Sequence, residues 1–168
     1  TTNGGKYLFE IYNNHEHLDT IKMQRSLIKF LIRNNFKYQI PKPFGNIGEI
    51  VKNDIVYYCR MFQFIDGEQL SNKKLGFENY REMGIFLGNF SKTISMFKYK
   101  KLSRHFEWDT RQIKYLEHRL KYIDNKQNRM LVNSFITKYY KTVEEVKPEL
   151  RYSFIHNDAN NQNILIHP

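Results

Sequence analysis

Cysteine is nearly absent. Cys59 is the only one in 168 residues, so no disulfide can form within the chain, and a reducing, cytoplasmic setting is the simple reading. Cys59 itself reads as a small buried apolar residue in a strand. No apolar run approaches the roughly 20 residues that span a bilayer, so no membrane association is expected. No charged segment leads into an apolar one in the manner of a signal peptide. Acidic residues are scarce: 17 against 27 Lys and Arg, for a formal net charge of +10. Such a surface suits nucleic acid, an anionic membrane or a nucleotide. The basic residues are dispersed, however, with Lys92, Lys98, Lys100 and Lys101 the densest group. The abundance of Lys, Asn, Ile, Tyr and Phe also fits an AT-rich coding bias, so nucleic-acid binding is not expected. Internal repeats and low-complexity tracts are lacking too.

What is present is a core. Hydrophobic residues make up 40%, with 13 Phe and 12 Tyr, so the packing should be aromatic-rich. The length favours one domain. The chain opens without Met and stops at His167-Pro168 after an apolar strand, and it reads as an interior piece of a longer protein.

Asn3-Gly4-Gly5 signals a turn, and Lys6 to Tyr12 reads as a strand. From His17 to Asn35 apolar residues recur at helical spacing in Ile21, Ile28 and Leu31, and Gln24 is the polar member of that inward stripe. Pro41 and Pro43 impose an extended loop. Ile47–Val51 and Ile55–Phe64 form an expected hairpin around Lys52-Asn53-Asp54. Its β-branched and aromatic second strand is expected to be central. Asp66-Gly67 reads as a joint. Beyond it Tyr80, Met83, Leu87, Phe90, Ile94 and Phe97 form one helical stripe. Gly84 and Gly88, one turn apart, are expected to admit a close neighbour, because glycine costs about 1 kcal/mol inside a helix. Asp109 and Gln112 suggest a capping box leading into Ile113, Leu116, Leu120 and Ile123. A further helix is expected over Asn128–Val146, with Leu131, Phe135, Tyr139 and Val143 on one side and Pro148 as its stop. Tyr152–Ile155 and Ile164–Ile166 read as short strands flanking a polar loop. This is an α+β order with two lobes, 1–65 and 66–168, and clefts between lobes are common ligand sites.

The polar loop lies in FIHNDANNQNILI, residues 154–166. His156, Asp158 and Asn163 match H-x-D-x-x-x-x-N, the spacing of the protein-kinase catalytic loop. The spacing has a chemical reason. A carboxylate must face an acceptor hydroxyl to take its proton. An amide oxygen five residues on must turn back towards a magnesium ion on nucleotide phosphates. A well-placed base contributes roughly 10²–10⁴ in rate. The alternative is an ordinary polar turn, since Asn and Asp are turn residues.

FIHNDANNQNILI resembles the catalytic segment of the aminoglycoside phosphotransferase/choline kinase superfamily, which has a protein-kinase-like fold. Within it the chain looks most like hydroxylysine-kinase-type enzymes and the kinase modules fused to class III aminotransferases. KYLFEIYN resembles the family's third N-lobe strand and MQRSLIKFL its lobe-spanning helix. IPKP, YYCRMFQFIDGEQL and the WDTRQ around Trp108 follow in order. The resemblance covers nearly the whole chain. It implies a two-lobe kinase fold incomplete at both ends, lacking the glycine-rich hairpin and the second metal-binding Asp, so the isolated piece is expected to be inactive. It implies ATP and Mg2+ as cofactors and a small-molecule hydroxyl as acceptor, with hydroxylysine, a related amino alcohol or an aminoglycoside as the type. An aminotransferase domain is a possible fused partner. Asp158 would be the base, Asn163 a magnesium ligand and His156 a support for the loop. Gln63-Phe64-Ile65 would be the hinge that offers backbone groups to adenine. Trp108 and Asp109 would line an acceptor pocket or serve as a core Trp beside a capping Asp.

One slot departs from the pattern. The strand lysine that binds phosphates is replaced by Glu10, and the helix residue that pairs with it is Gln24. A carboxylate 4 Å from a phosphate charge costs about 4 kcal/mol at an effective dielectric of ~20. Lys6 shares Glu10's face but lies ~13 Å along the strand; Lys22 is the other cation near enough to consider. Either the protein binds nucleotide weakly, as a degenerate kinase or non-catalytic regulatory module, or the register is different. On this alignment Glu10→Lys should raise ATP affinity.

Overall fold

The structure is a computed structural model that describes residues 4–72, 74–100 and 109–167. Trp108 lies outside the described residues. Chain contacts divide it into two compact units, Thr1–Leu102 with Ser153–Pro168, and Ser103–Tyr152.

The first unit is built on an antiparallel sheet in the order β1-β3-β2, formed by β1 (Tyr7–Ile11), β2 (Pro43–Lys52) and β3 (Ile55–Gln63). β3 is central, as its run of β-branched and aromatic residues predicts. Asn53 and Asp54 both take positive φ, 52° and 60°, the geometry of a tight two-residue hairpin turn. β2 starts at Pro43, earlier than the sequence suggests, and continues through a bulge between Phe44 and Gly48. Proline is tolerated there because it opens an edge strand, where its missing N–H costs no ladder bond. A Cβ at Gly48 would lie 2.9 Å from Cys59 Sγ, so glycine lets the two strands close over the buried cysteine.

Helix α1 (Leu18–Arg33) follows β1. Its apolar stripe buries Ile21 and Leu31. Arg25 Nη2 donates to Gly45 O at 2.7 Å, and Gln24 Oε1 accepts from Arg60 Nη2 at 2.9 Å. α1 is thereby tied to β2 and β3, and Gln24 does point inward.

Helix α2 (Phe77–Ile94) buries Ile94, and the chain continues to buried Phe97. Asn79 Oδ1 accepts from Gly76 N at 3.0 Å, half of a capping box, since glycine has no side chain to return the bond. Aromatic edges join the two helices. Phe30 meets Phe97 at 5.3 Å, and Phe36 and Tyr38 meet Phe86 at 6.2 and 4.9 Å. Gly84 and Gly88 do not receive a close neighbour: among the described residues, nothing lies within 4 Å of a Cβ built at either. Tyr80 also lies on the exposed side, while the stripe from Met83 onward turns inward.

The expected hairpin around the polar loop is replaced by a different pairing. Residues 152–155 form no strand. Instead β5 (Leu165–Ile166) pairs antiparallel with β4 (Glu68–Gln69), directly after the Asp66-Gly67 joint. Leu70 N donates to Ile164 O at 3.0 Å and Ser71 N to Asn161 O at 2.9 Å, extending the clip. A Cβ at Gly67 would lie 3.1 Å from Leu165 Cβ, so the joint glycine permits the approach.

The second unit corrects two helix expectations. Asp109 does cap, but its carboxylate grips Arg111 rather than Gln112, accepting from Arg111 N at 2.9 Å. The side-chain hydrogen bond from Arg111 holds the Asp109 carboxyl below its ordinary range, against the opposing pull of partial burial. The chain then runs through tight turns, Thr110–Gln112 and Leu120–Tyr122, on either side of the single-turn helix α3 (Lys114–Glu117). None of these elements buries a residue, and a helix without an apolar face to bury is marginal in water. Helix α4 (Lys126–Tyr139) is capped by Asn125, whose side chain accepts from Asn128 N at 3.0 Å. It runs into a π turn at Tyr140–Glu144, and a 3₁₀ turn with Pro148 closes the segment. Its inward residue is Ile136, 3% exposed, whereas Leu131 and Phe135 are 57% and 63% exposed. The expected face therefore holds only in its second half, where Tyr139 and Val143 are half-buried, and fails at Leu131 and Phe135. Among the described residues, no helix is long and apolar enough to cross a membrane.

Candidate nucleotide and phosphotransfer site

Glu10, Gln24, Gln63, Phe64, Ile65, His156, Asp158 and Asn163 lie in the first unit, whereas Asp109 lies in the second. The polar loop is held from behind by aromatic contacts. Phe154 meets the edge of Phe97 at 5.1 Å, and the His156 ring meets Phe90 at 6.0 Å. Asn157 then takes φ 64°, a left-handed conformation that asparagine tolerates better than most residues. This reversal brings Asp158 N within 3.3 Å of His156 Nδ1, to which it donates. His156 therefore supports the loop both by packing and by accepting a backbone hydrogen bond.

The Asp158 carboxylate is held at both oxygens. Oδ1 accepts from Asn160 Nδ2 at 2.8 Å, and Oδ2 accepts from Asn163 Nδ2 at 2.7 Å. Asn163 Nδ2 also donates to the Asp158 carbonyl at 2.8 Å. Asn163 Oδ1 has no hydrogen-bond partner among the described residues. The sequence motif thus folds into one constellation: a fixed, solvent-facing carboxylate beside a free amide oxygen. Carboxylates held by ordered donors keep one orientation, which a base needs if it is to meet a hydroxyl in line.

Asn160 belongs to the site although the motif spacing does not single it out. Its Nδ2 holds Asp158, while its Oδ1 accepts from Gln162 N at 2.9 Å and from Asn163 N at 3.2 Å. It stitches the two halves of the loop together. The sequence does carry a signal for it: an asparagine two residues after an aspartate, in a segment with turn composition, is an Asx-turn former. Asn160→Ala should free one of the two holds on the Asp158 carboxylate and loosen the loop, because the same side chain also fixes the amides of Gln162 and Asn163. Faster amide hydrogen exchange at Gln162 and Asn163 in the intact protein, by at least about tenfold, checks this.

The second group of predicted residues gathers around an arginine. Glu10 and Arg60 are cross-strand partners in the β1–β3 ladder. Arg60 Nη2 reaches Glu10 Oε2 at 3.3 Å as well as Gln24 Oε1. Tyr12 Oη donates to the same Glu10 oxygen at 2.8 Å. The Arg60 side chain is 8% exposed and that of Glu10 39%. Tyr12 and Phe62 flank the guanidinium, their ring centroids 4.9 and 4.6 Å from Cζ. Burial holds the Arg60 pKa below its ordinary value, and the Glu10 carboxylate offsets only part of that. The cations considered from sequence do not serve Glu10: Lys6 Nζ binds Asp66 Oδ1 at 2.8 Å, and no ion pair joins Lys22 to Glu10 among the described residues.

Gln63, Phe64 and Ile65 lead out of the central strand at its C-terminal end. Gln63 N donates to Lys42 O at 2.9 Å and Phe64 N to Lys6 O at 3.1 Å. Of these three backbone N–H groups, that of Ile65 alone is left without a backbone partner among the described residues.

No curated protein matches the chain. Among solved structures, amicoumacin kinase hAmiN in complex with AMP-PNP, Ca2+ and Ami superposes with a TM-score of 0.64 at 14% identity. The match covers 98% of this chain and 50% of that one, so the chain spans about half the length of that protein. At this identity the likeness establishes the fold, a kinase-like α+β arrangement of antiparallel sheet and helices. Sequence matching reaches further than fold. Residues 1–168 match the pattern of the phosphotransferase enzyme family (APH) from end to end, and the chain belongs to that family.

Proposed function

We propose that this chain is part of an ATP-dependent phosphotransferase that acts on a hydroxyl group of a small molecule. The observation that carries this reading is the Asp158–Asn163 constellation, a carboxylate locked by two amide donors beside an uncommitted amide oxygen. Asp158 takes the proton of the acceptor hydroxyl as that oxygen attacks the γ-phosphorus, and the bond to the β,γ-bridging oxygen breaks to release ADP. His156 and Asn160 keep the loop in the conformation that aims the carboxylate. Ile65, at the end of the run Gln63–Ile65, offers its N–H to the adenine edge. Residues 1–65 hold the nucleotide and residues 66–168 supply the base.

Magnesium fits the residues present. It keeps several waters and phosphate oxygens and asks the protein for only one or two more. Asn163 Oδ1 is free to be one of these, and among the described residues no cluster of three His, Cys, Asp or Glu forms a separate metal cage. When bound, the ion neutralises phosphate charge. The acceptor class rests on resemblance to hydroxylysine-kinase-type enzymes and to the aminoglycoside phosphotransferase superfamily, which makes an amino alcohol or aminoglycoside-like molecule the type.

The second reading is a non-catalytic pseudokinase or regulatory binding module that has lost phosphate handling, and Glu10 in the phosphate-binding slot favours it. One assay separates the two. The intact protein is given ATP, magnesium and a panel of amino alcohols and aminoglycosides, with phosphorylated acceptor followed by mass spectrometry. Transfer to a hydroxyl supports the first reading. Absence of transfer to any acceptor overturns the first and supports the second, the more so if nucleotide binding is lost as well.

A further inference from the structure

Arg60 is the residue of the first unit least explained by folding alone. It sits on the central strand, surrounded by aromatic side chains. It has five N–H donors, yet only Nη2 is used, and Nε and Nη1 are buried without a partner. A cation is costly to bury unless it is paired. Its one carboxylate partner is Glu10, the residue that alignment places in the phosphate-binding slot. Its other acceptor is Gln24, the helix residue expected to pair with that slot.

We propose that Arg60 is a positioning residue of the nucleotide site. It supplies from the neighbouring strand the cation that position 10 lacks, neutralising Glu10 and holding Gln24 so that a triphosphate meets an uncharged wall rather than a bare carboxylate. The inference rests on the nucleotide-binding reading above. The usual order of charges is inverted: the slot strand carries the anion, its neighbour carries the cation, and a neutral amide completes the tie to α1. Glu10 Oε2 is doubly engaged, by Arg60 and by Tyr12, which further withdraws its charge from any ligand.

The test uses the intact protein and three variants, Arg60→Met, Glu10→Gln and the double variant. Methionine fills much of the arginine's volume, and replacing a buried charge by an apolar side chain is often tolerated. Thermal melting establishes that each variant is folded. Calorimetry then gives affinities for ATP and for adenosine. Arg60→Met should weaken ATP about tenfold, since it exposes an uncompensated carboxylate to the phosphates, and should leave adenosine within about twofold. Glu10→Gln should bind ATP at least as well as the parent. The double variant should recover ATP affinity to within about threefold of the parent, a coupling that only interacting sites show. If ATP and adenosine weaken together, or if the double variant stays as weak as Arg60→Met, Arg60 acts through packing and the inference fails. If Arg60→Met is folded and binds ATP like the parent, it also fails. If the parent binds no nucleotide, the function reading itself falls and the inference falls with it.

Discussion

Replacing Asp158 with asparagine should reduce phosphoryl transfer by roughly 10²–10⁴ in kcat, the usual contribution of a positioned general base. ATP affinity should hardly change. Asparagine preserves the shape of the side chain, and its carbonyl oxygen can still accept from either Asn160 or Asn163, the two donors that hold the carboxylate. The loop should therefore keep its fold, with Phe154 and His156 still seated on Phe97 and Phe90. The variant loses the lone pair that receives the proton. Acceptor phosphorylation by the intact protein, with the melting temperature as a control, gives the answer. Transfer within tenfold of the parent, in a variant that melts normally, would remove Asp158 from the role of base.

Glu10→Lys has the second large effect, and sequence and structure disagree on its sign. Alignment alone makes it a repair that restores a missing phosphate ligand and tightens ATP. The Arg60 pairing makes it a lesion. A lysine at position 10 would face a guanidinium 8% exposed, with its only carboxylate removed. Removing one partner of a buried pair costs about 3–5 kcal/mol. Because Glu10 is itself 39% exposed, a loss of roughly 2–4 kcal/mol is expected, or a fall of about 5–15 °C in melting temperature for a domain of this size. Urea or thermal denaturation measures it. Unchanged stability together with tighter ATP binding would show that the alignment had the chemistry right and that the ion pair is dispensable.

The disagreement shows where the sequence was readable. α1 followed from its apolar periodicity, because it buries one face, whereas β1 and the central position of β3 followed from their β-branched and aromatic runs, although β1 leaves its apolar side chains exposed. Cys59 was legible for the same reason. The His156, Asp158 and Asn163 grouping was legible because its residues are close in sequence and their spacing is the geometry. Arg60 was not, because its partnership depends on a cross-strand register between segments 50 residues apart. The only sequence hint was a lone charge in an otherwise apolar central strand. The turns after Asp109 show the opposite failure. There a helical pattern exists, but none of its residues is buried, so periodicity alone did not produce a helix. In α4 the pattern produced the helix but only part of its orientation, since Tyr139 turns inward as expected while Leu131 and Phe135 matched the spacing and do not.

The β4–β5 clip was also invisible, since a pair of two-residue strands carries no pattern. It has a bearing on how the protein is made. Glu68 leaves the ribosome well before Ile166, and at about 5–20 residues per second the intervening stretch takes roughly 5–20 s to translate. During that interval the segment after the joint has no strand to join, and the loop that carries Asp158 does not yet exist. The three-stranded sheet and α1 can settle early on nearby partners, whereas the loop that carries Asp158 is locked only when the two distant segments meet. Nascent chains should therefore acquire a protease-resistant sheet long before they acquire an ordered Asp158 loop.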